Sequence, residues 1–544
     1  MSIKKYTSIA DTTITNAYEA DMQTRATGSN MGAADSLEVF SIYGQANSAS
    51  IEKSRVLLKF PVLTADTTGS NIQKDRTNGN IPASGSVNFF LNLYNVRHDQ
   101  TLPRNFKIIV APLSQSWEEG SGVDLDNYKD LTYDGTGSNW EKRKAGTIWT
   151  VADEAGNKVT TTGGSILSAS WMAPGPAGAS ARYNEFNYSA SFEDGTEDLS
   201  VDITGLVEQW ILGTSGENPA GNPGFPNYGV IAYLTASQES SSARSYYTKR
   251  FSARSSEYFF KRPAIEARWN SSRKDHRGDF MLSSSNVSAA DNLNTLYLYN
   301  YVRGQLKDLA HLATTVTDKI FVTVHTSASD DAQSDATGER VQTWPYVDSI
   351  YQAITGGKVS TGIYSASMAI ATGTTYVYDK WWTASAGEGN TSNKIYYHTG
   401  TVKPKTFDTP AYFVVPDYVT TITNLKDSYH SRELARFRLF TRQRNWNPTI
   451  YTKASTEIET SIVEDAYFKI YRVVDNHVVV GFGTGSLNHT RLSYDVSGSY
   501  FDLDMKLLEP GYAYGVKFCY YLNGSYQEQT EDFKFKIEKT NSNV

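Results

Sequence analysis

The sequence predicts an all-β chain built of tandem β-sandwich domains, with long surface loops and one short helix. Three observations predict it. Short runs from end to end alternate apolar and polar side chains with a period of two, the pattern of strands with one face buried. Aromatic residues make up 13% of the chain, led by 36 tyrosines. Tyrosine suits such strands, because its ring is apolar while its hydroxyl tolerates water. Between the runs lie Gly, Ser, Thr and Asn, the residues of turns. At 544 residues there is room for about three domains. We place them at 1–271, at 272–412 (a linker and a second sandwich) and at 413–544.

The elements follow in order. In Arg55-Val56-Leu57-Leu58-Lys59-Phe60, residues Val56, Leu58 and Phe60 share a face, with Arg55 and Lys59 opposite. Phe89, Leu91 and Leu93 point inward from the next run, and Phe106, Ile108 and Val110 repeat the pattern before Pro112. From Val201 to Gly213 the period changes. Apolar residues at 203, 206, 207, 210 and 211 give helical spacing, with Asp202 and Thr204 as capping candidates and Gly213 as the stop. The Gly/Ser/Asn-rich stretches near 65–86 and 152–182 read as extended surface loops, either solvated or ordered by contacts with something else.

Arg262 to Trp269 reads as the closing strand of the first domain, and Asn270 to Asp275 as a polar linker. In Leu296 to Val302, the residues Tyr297, Tyr299 and Tyr301 line one face, with Leu296, Leu298 and Val302 on the other. Ordinary burial of that tyrosine face is favoured over presentation to a partner. A last unit spans about Phe413 to Ile537. There, Asn523-Gly524 between two alternating runs is a hairpin signal, because a type I′ turn needs positive φ at both central residues.

Composition narrows the function. Lys+Arg total 51 against 58 Asp+Glu, a net charge of −7, which argues against broad binding to nucleic acid. The segment Lys249 to Arg254 could form a local basic patch, but a solvated strand face is the stronger reading. The one cysteine, Cys519, excludes an internal disulfide and reads as a small buried hydrophobe. A reducing compartment of synthesis, a cytoplasm, is therefore expected. Neither a signal-peptide pattern nor an apolar run long enough to span a membrane is visible, so a soluble protein is expected.

The usual catalytic constellations do not occur in the sequence. There is no Gly-x-Ser-x-Gly elbow, and Gly356-Gly357-Lys358-Val359 lacks the earlier Gly and the Ser/Thr of a phosphate loop. The eight histidines show no metal spacing. The expectation is no catalytic residue, no cofactor and no metal site. A cleft with two converging carboxylates would revive a hydrolase reading. Asp124, Asp126, Asp130 and Asp134 form an acidic loop that could hold calcium. It lacks the fixed oxygen spacing and bidentate Glu of such sites, so a solvated loop is favoured. Trp381-Trp382 could stack on sugar rings, although core packing is the commoner use of tryptophan.

Several segments of residues 8–269 resemble, in order, the carbohydrate-binding-module-like sandwich family named for its DNRLRE motif. They are Asp11 to Ile14, Gly28 to Gly32 with Leu37 to Val39, Arg55 to Phe60, Ser116-Trp117-Glu118-Glu119-Gly120, Asn139-Trp140, the helix to Trp210, Asn227 to Val230, and Phe251 to Trp269. The literal Asp-Asn-Arg signature is absent. The resemblance implies a jelly-roll-like adhesive or structural module.

Leu508-Glu509-Pro510-Gly511-Tyr512-Ala513-Tyr514 resembles the tyrosine corner of fibronectin-type and immunoglobulin-like sandwiches, with Tyr514 in the pinning role. The whole chain looks like large structural proteins of tailed phages, carried by Trp117 to Trp140, Arg244 to Phe251, Asn292 to Tyr301 and Glu509 to Gly515. That resemblance implies a non-enzymatic virion component of the neck, tail, baseplate or capsid surface. Its partners would be copies of itself in a symmetric oligomer and other virion proteins, with neither nucleic acid nor membrane. The alternative is a glycan-binding adhesin using the loops around Trp117 and Trp140, with host-surface glycan as partner.

Overall fold

The computed structural model describes residues 2–43, 51–97, 102–123, 136–152, 158–164, 186–213, 224–240, 245–310, 319–327, 340–345, 353–371, 375–384, 394–406, 417–447, 450 and 460–539. Strands dominate, as predicted. The chain divides into two compact units, Ser2–Asn270 and Ser271–Val544.

The N-terminal unit is an antiparallel sandwich. In chain order it runs β1 (Ile3–Thr7), β2 (Ala10–Thr15), β3 (Ser36–Tyr43), β4 (Ile51–Lys59), helix α1 (Ile72–Thr77), β5 (Asn88–Leu93) and β6 (Phe106–Pro112). Four short strands follow: β7 (Lys142–Lys144), β8 (Thr147–Ile148), β9 (Thr150–Ala152) and β10 (Lys158–Thr160). The unit ends with β11 (Tyr188–Phe192), β12 (Leu199–Asp202), α2 (Thr204–Leu212), β13 (Val230–Leu234), α3 (Ala236–Glu239), β14 (Ser245–Ser252) and β15 (Ala264–Arg268). One sheet has the order β1-β15-β5-β12; the other, of seven strands, has the order β11-β6-β13-β4-β3-β14 with β2 also on β4. The chain crosses between the sheets from β1 to β2, β4 to β5, β5 to β6, β11 to β12, β12 to β13 and β14 to β15, the habit of a jelly roll.

Between the sheets lies the core the alternation predicted, with Val56, Leu58, Phe60, Phe89, Leu91, Leu93, Phe106, Ile108 and Val110 all buried. Helix α2 sits where the spacing placed it, with Leu206, Val207 and Trp210 in the core and the Asp202 carboxylate accepting from the Thr204 amide at 2.9 Å.

Two expectations fail in this unit. Residues 65–86 are not an extended loop. Asn71 caps α1, Ile72 and Ile81 enter the core, and Asp75 accepts hydrogen bonds from Tyr6, Ser70 and Asn80 and pairs with Lys4. Polar composition concealed two apolar anchors and one buried carboxylate. Nor is the face of β4 opposite the core solvated. Leu57, Ile14, Ala111, Leu113 and Ile231 build a second small core there, roofed by Trp140 and Trp149.

The C-terminal unit begins with a large sheet: β16 (Asn294–Tyr299), β17 (Tyr301–Val302), β18 (Gln305–Leu306), β19 (Lys319–His325), β20 (Thr343–Trp344), β21 (Ile354–Ser360), β22 (Ile363–Ile370), β23 (Val377–Ala384) and β24 (Lys394–Val402). Its order is β16-β22-β21-β19-β23-β24, with β20 on β22, while β17 and β18 form a separate hairpin. Then come β25 (Tyr418–Ile422), β26 (Ser428–His430), β27 (Leu434–Gln443), β28 (Ala466–Arg472), β29 (His477–Val480), β30 (Ser493–Asp495), β31 (Gly498–Asp504), β32 (Ala513–Leu522), β33 (Ser525–Glu528) and β34 (Phe533–Glu538). These make a second sandwich of sheets β25-β27-β31-β30 and β26-β34-β32-β28-β29 with β33 on β32. Stacked rings join its sheets, with the Phe468 and Phe501 centroids 4.2 Å apart, and within one sheet Phe437 stacks on Phe501 at 4.9 Å.

Two local motifs behave as predicted. Asn523 and Gly524 have φ of 51° and 80°, and they turn β32 into β33. The Tyr514 hydroxyl donates to the Glu509 carbonyl at 2.8 Å, the pinning bond of a tyrosine corner.

The linker reading of Asn270 to Asp275 needs correction. Residues 273–279 are a strap bonded on both sides within this unit. Arg273 and Asp275 exchange backbone hydrogen bonds with Tyr494 in β30. Arg277 forks onto Asp379 of β23 at 2.6 and 2.7 Å. Asp379 is fully buried and also accepts from the Trp381 indole at 2.7 Å. Gly400 pairs with Asp379 across β24, and any Cβ there would collide with the Arg277 guanidinium.

Candidate functional site

The residues singled out by sequence turn inward. Trp117 packs against the second core of the N-terminal unit and donates from its indole to the Tyr228 carbonyl at 2.9 Å. Trp140 is buried beside it, with the Arg55 guanidinium 5.4 Å from its ring. Arg55 in turn forks onto Glu239 at 3.1 and 2.6 Å and reaches the Gly163 carbonyl at 2.7 Å.

The segments that carried the first-domain resemblance meet one another. Asn30 donates to the Glu119 and Ser138 carbonyls, both at 2.8 Å, and accepts from the Gly32 and Gly122 amides. Gly120 has φ of 81° and lies against the Asn30 amide, so a Cβ would strike it. Glu119 takes a bidentate fork from Arg254 at 2.6 Å and the Asp11 backbone N–H at 2.8 Å. Asp11 itself is buried and accepts from the Arg254 amide at 2.7 Å. Its burial, with the Glu119 charge adding to it, pushes the carboxyl up to about 7.

Lys249 is neither on a basic patch nor on a solvated face. Its side chain is buried, and its ammonium donates to Asn95 Oδ1, the Gly195 carbonyl and the Glu197 carbonyl at 2.6–2.8 Å. Desolvation lowers it to about 8, against the opposing pull of Glu197 and Asp198. Its neighbour Arg250 pairs with Glu38.

Trp381 and Trp382 are both fully buried on opposite faces of β23, the second stacked 4.9 Å from Phe321. Neither is a sugar platform. Cys519 is buried, and burial raises its thiol. Tyr297 and Tyr299 stack 6.2 Å apart and are half-buried. Tyr301 does not extend that face, because the strand ends at Tyr299 and Tyr301 enters the exposed β17–β18 hairpin. The acidic loop Asp124, Asp126, Asp130 and Asp134 lies outside the described residues, as does most of 152–182. Among the described residues, no group of three or more His, Cys, Asp or Glu side chains could hold a metal ion.

The place where polar side chains do converge on open space was not foreseen. A cleft of about 1090 Å³ in the C-terminal unit is lined by the strap (Lys274, His276, Asp279) and Met281 just after it, the turn into β16 (Ala290, Asp291, Leu293, Asn294), the segment after β24 (Pro404, Lys405, Thr406) and Glu464 ahead of β28. Behind it runs a chain of hydrogen bonds. The Thr295 amide donates to His276 Nδ1 at 3.0 Å, which turns Nε2 of the ring toward Tyr494. His276 Nε2 lies 2.9 Å from the Tyr494 hydroxyl, which donates to Glu464 Oε1 at 2.6 Å. Lys274 Nζ holds the other oxygen of Glu464 at 2.5 Å.

Desolvation alone would raise Glu464, but hydrogen bonds from His276, Lys274 and Tyr494 hold its carboxyl well below the usual range. Burial, reinforced by the Glu464 charge, keeps the Tyr494 phenol protonated far above its ordinary range. Lys405 pairs with Asp279 at 3.1 Å. Asn294 fixes Met281 with paired amide bonds to its backbone at 2.9 and 2.8 Å. Three carboxylates, Asp279, Asp291 and Glu464, therefore line one cleft, and the hydrogen bonds from Tyr494 and Lys274 favour the ionised form of Glu464.

Sequence reasoning missed this site because its parts lie some two hundred residues apart. One signal was present. Arg273-Lys274-Asp275-His276-Arg277-Gly278-Asp279 is too dense in titratable groups for a plain linker.

No family model matches the chain, and no curated protein matches its sequence. Among solved structures, the FN1-FN3 domains of chicken CNTN1 are similar at 9% identity over 59% of this chain and 84% of that one, with a TM-score of 0.14. The native conformation of E. coli alpha-2-macroglobulin is similar at 8% identity over 91% of this chain and 34% of that one, with a TM-score of 0.14. At such scores neither likeness adds to the architecture read from the strands.

Proposed function

We propose that the chain is a structural, non-enzymatic component of a tailed-bacteriophage particle, assembled in the host cytoplasm with copies of itself and with other virion proteins. The observation that supports this best is where the motif residues of the first unit are used. Glu119 ties its segment to the seven-stranded sheet through the Asp11 amide, Arg55 of that sheet holds Glu239 and the Gly163 carbonyl, Asn30 and Arg254 join the connecting segments to one another, and Trp117 and Trp140 pack against the same sheet. Connections held in one shape have little conformational entropy left to lose when a neighbour docks, so a repeated contact can be small and still specific. The whole-chain resemblance to phage structural proteins points the same way. The glycan-adhesin alternative relied on the rings of Trp117 and Trp140, and both pack against their own sheet.

Mass spectrometry of gradient-purified particles tests the reading. The chain is expected in stoichiometric amount, and a reconstruction of the particle should contain it in several symmetry-related copies. Its absence from purified particles would sink the proposal.

A further inference from the structure

We propose that the cleft of the C-terminal unit is a binding site for a neutral saccharide. The inference stands apart from the particle reading, since a chain absent from virions could still bind sugar and a virion protein could fail to.

Three features of the cleft select this ligand class. The first is how the charges are arranged. Lys274 Nζ sits 2.5 Å from Glu464 Oε2, and Lys405 Nζ sits 3.1 Å from Asp279 Oδ1. A strong donor therefore lies beside a strong acceptor at two places on the rim. A hydroxyl group matches such a pair, since it donates to the carboxylate and accepts from the ammonium together. A simple anion would meet the carboxylates of Asp279, Asp291 and Glu464. A metal ion would find no set of three ligating side chains among the described residues. A polyol, with many hydroxyls and no net charge, uses both signs at both places.

The second feature is the apolar part of the lining. Met281, Leu293 and Pro404 contribute to the same surface, and a pyranose ring presents a C–H face as well as hydroxyls. An apolar patch beside a few placed polar groups is the usual composition of a small-molecule site, and the volume of about 1090 Å³ is at the upper end of such sites.

The third is pre-organisation. Glu464 is aimed by Tyr494 at 2.6 Å, and Tyr494 is set by His276 at 2.9 Å, whose own ring is fixed by the Thr295 amide at 3.0 Å. Met281 is clamped through its backbone by Asn294. Groups already held need little ordering when a ligand arrives, which is the condition for useful affinity from weak hydroxyl contacts. A buried hydrogen-bond chain that ends on a half-exposed carboxylate at a cleft wall has a purpose if that carboxylate receives a ligand.

The full chain is titrated calorimetrically with neutral hexasaccharides of glucose, xylose, mannose and galactose, and with hexagalacturonate as an acidic control. At least one neutral hexasaccharide should bind with a Kd below about 1 mM, unchanged within twofold between 50 and 500 mM NaCl, because a neutral ligand releases no counterions. Ala290→Trp, at the exposed rim, should abolish that binding without moving the melting temperature. Glu464→Gln should weaken it about tenfold. No binding of any neutral hexasaccharide, binding confined to hexagalacturonate, a Kd that rises steeply with salt, or full binding by Ala290→Trp would each overturn the assignment.

Discussion

Asp11 and Lys249 are buried charges of opposite sign in the same sandwich, and each carries a pH dependence whose direction follows from its surroundings. The Asp11 carboxyl is pushed up to about 7, chiefly by burial, so the folded chain holds this proton to higher pH than the unfolded chain, whose aspartates titrate near about 3.9. Stability from this group is present at low pH and is lost as pH rises through about 7. Asp11→Asn keeps the acceptor for the Arg254 amide and removes the titration. Compared with the variant, the parent should lose on the order of 2–4 kcal/mol between pH 4 and 8, read from denaturant melts of the N-terminal unit. Parallel curves would refute the assignment. Lys249 is lowered to about 8 by desolvation, below the roughly 10.4 of a free lysine. The unfolded chain binds the extra proton between those values, so stability should rise over that alkaline interval in the parent and not in Lys249→Met. The sequence could not reveal this. Lys249 stands in a run of basic residues, and the carbonyls that receive it, Gly195 and Glu197, come from a turn some fifty residues earlier.

At the scale of single elements, local patterns translated well and long-range partners did not. The period-two runs, the 203–211 helix, the Asn523-Gly524 hairpin and the Tyr514 corner were legible because each is decided by residues a few positions apart. Tyr514→Phe should cost about 1 kcal/mol in a thermal melt, the worth of one buried hydrogen bond, and no change in midpoint would deny the corner its role. Helix α1 and the strap were illegible for the opposite reason. Asp75, Arg277 and Lys274 read as solvated charges until distant segments supply Tyr6, Asp379 and Glu464. The Arg277–Asp379 fork gives the sharpest test of the strap. Arg277→Met leaves the Asp379 carboxylate buried without its cation and should destabilise the C-terminal unit by about 3–5 kcal/mol. Adding Asp379→Asn removes the uncompensated charge and should recover at least half of that loss. A double variant as unstable as the sum of the single ones would show that the two residues do not act as a pair.

For the molecule as a whole, the question is where the chain can be cut. The first unit is closed by its own ends. Strand β1 pairs with β15 from Ile3 opposite Arg268 to Thr7 opposite Ala264, and the Trp269 amide donates to the Ser2 carbonyl at 2.9 Å. A cut between Asn270 and Ser271 leaves that sheet intact, so residues 2–270 expressed alone should fold. The boundary expected between 412 and 413 is different in kind. The strap gives Arg277 to Asp379 of β23, and it gives the Arg273 and Asp275 backbones to Tyr494 of β30. Residues 413–544 without the strap would also leave Glu464 and Tyr494 without Lys274 and His276. Losing hydrogen bonds to charged groups costs about 1.5–3 kcal/mol each. Differential scanning calorimetry of residues 271–544 should therefore show one cooperative transition, with a midpoint several degrees above that of residues 413–544 alone. Two separate transitions, one coinciding with that of the isolated piece, would mean the strap lies against both sheets without coupling them.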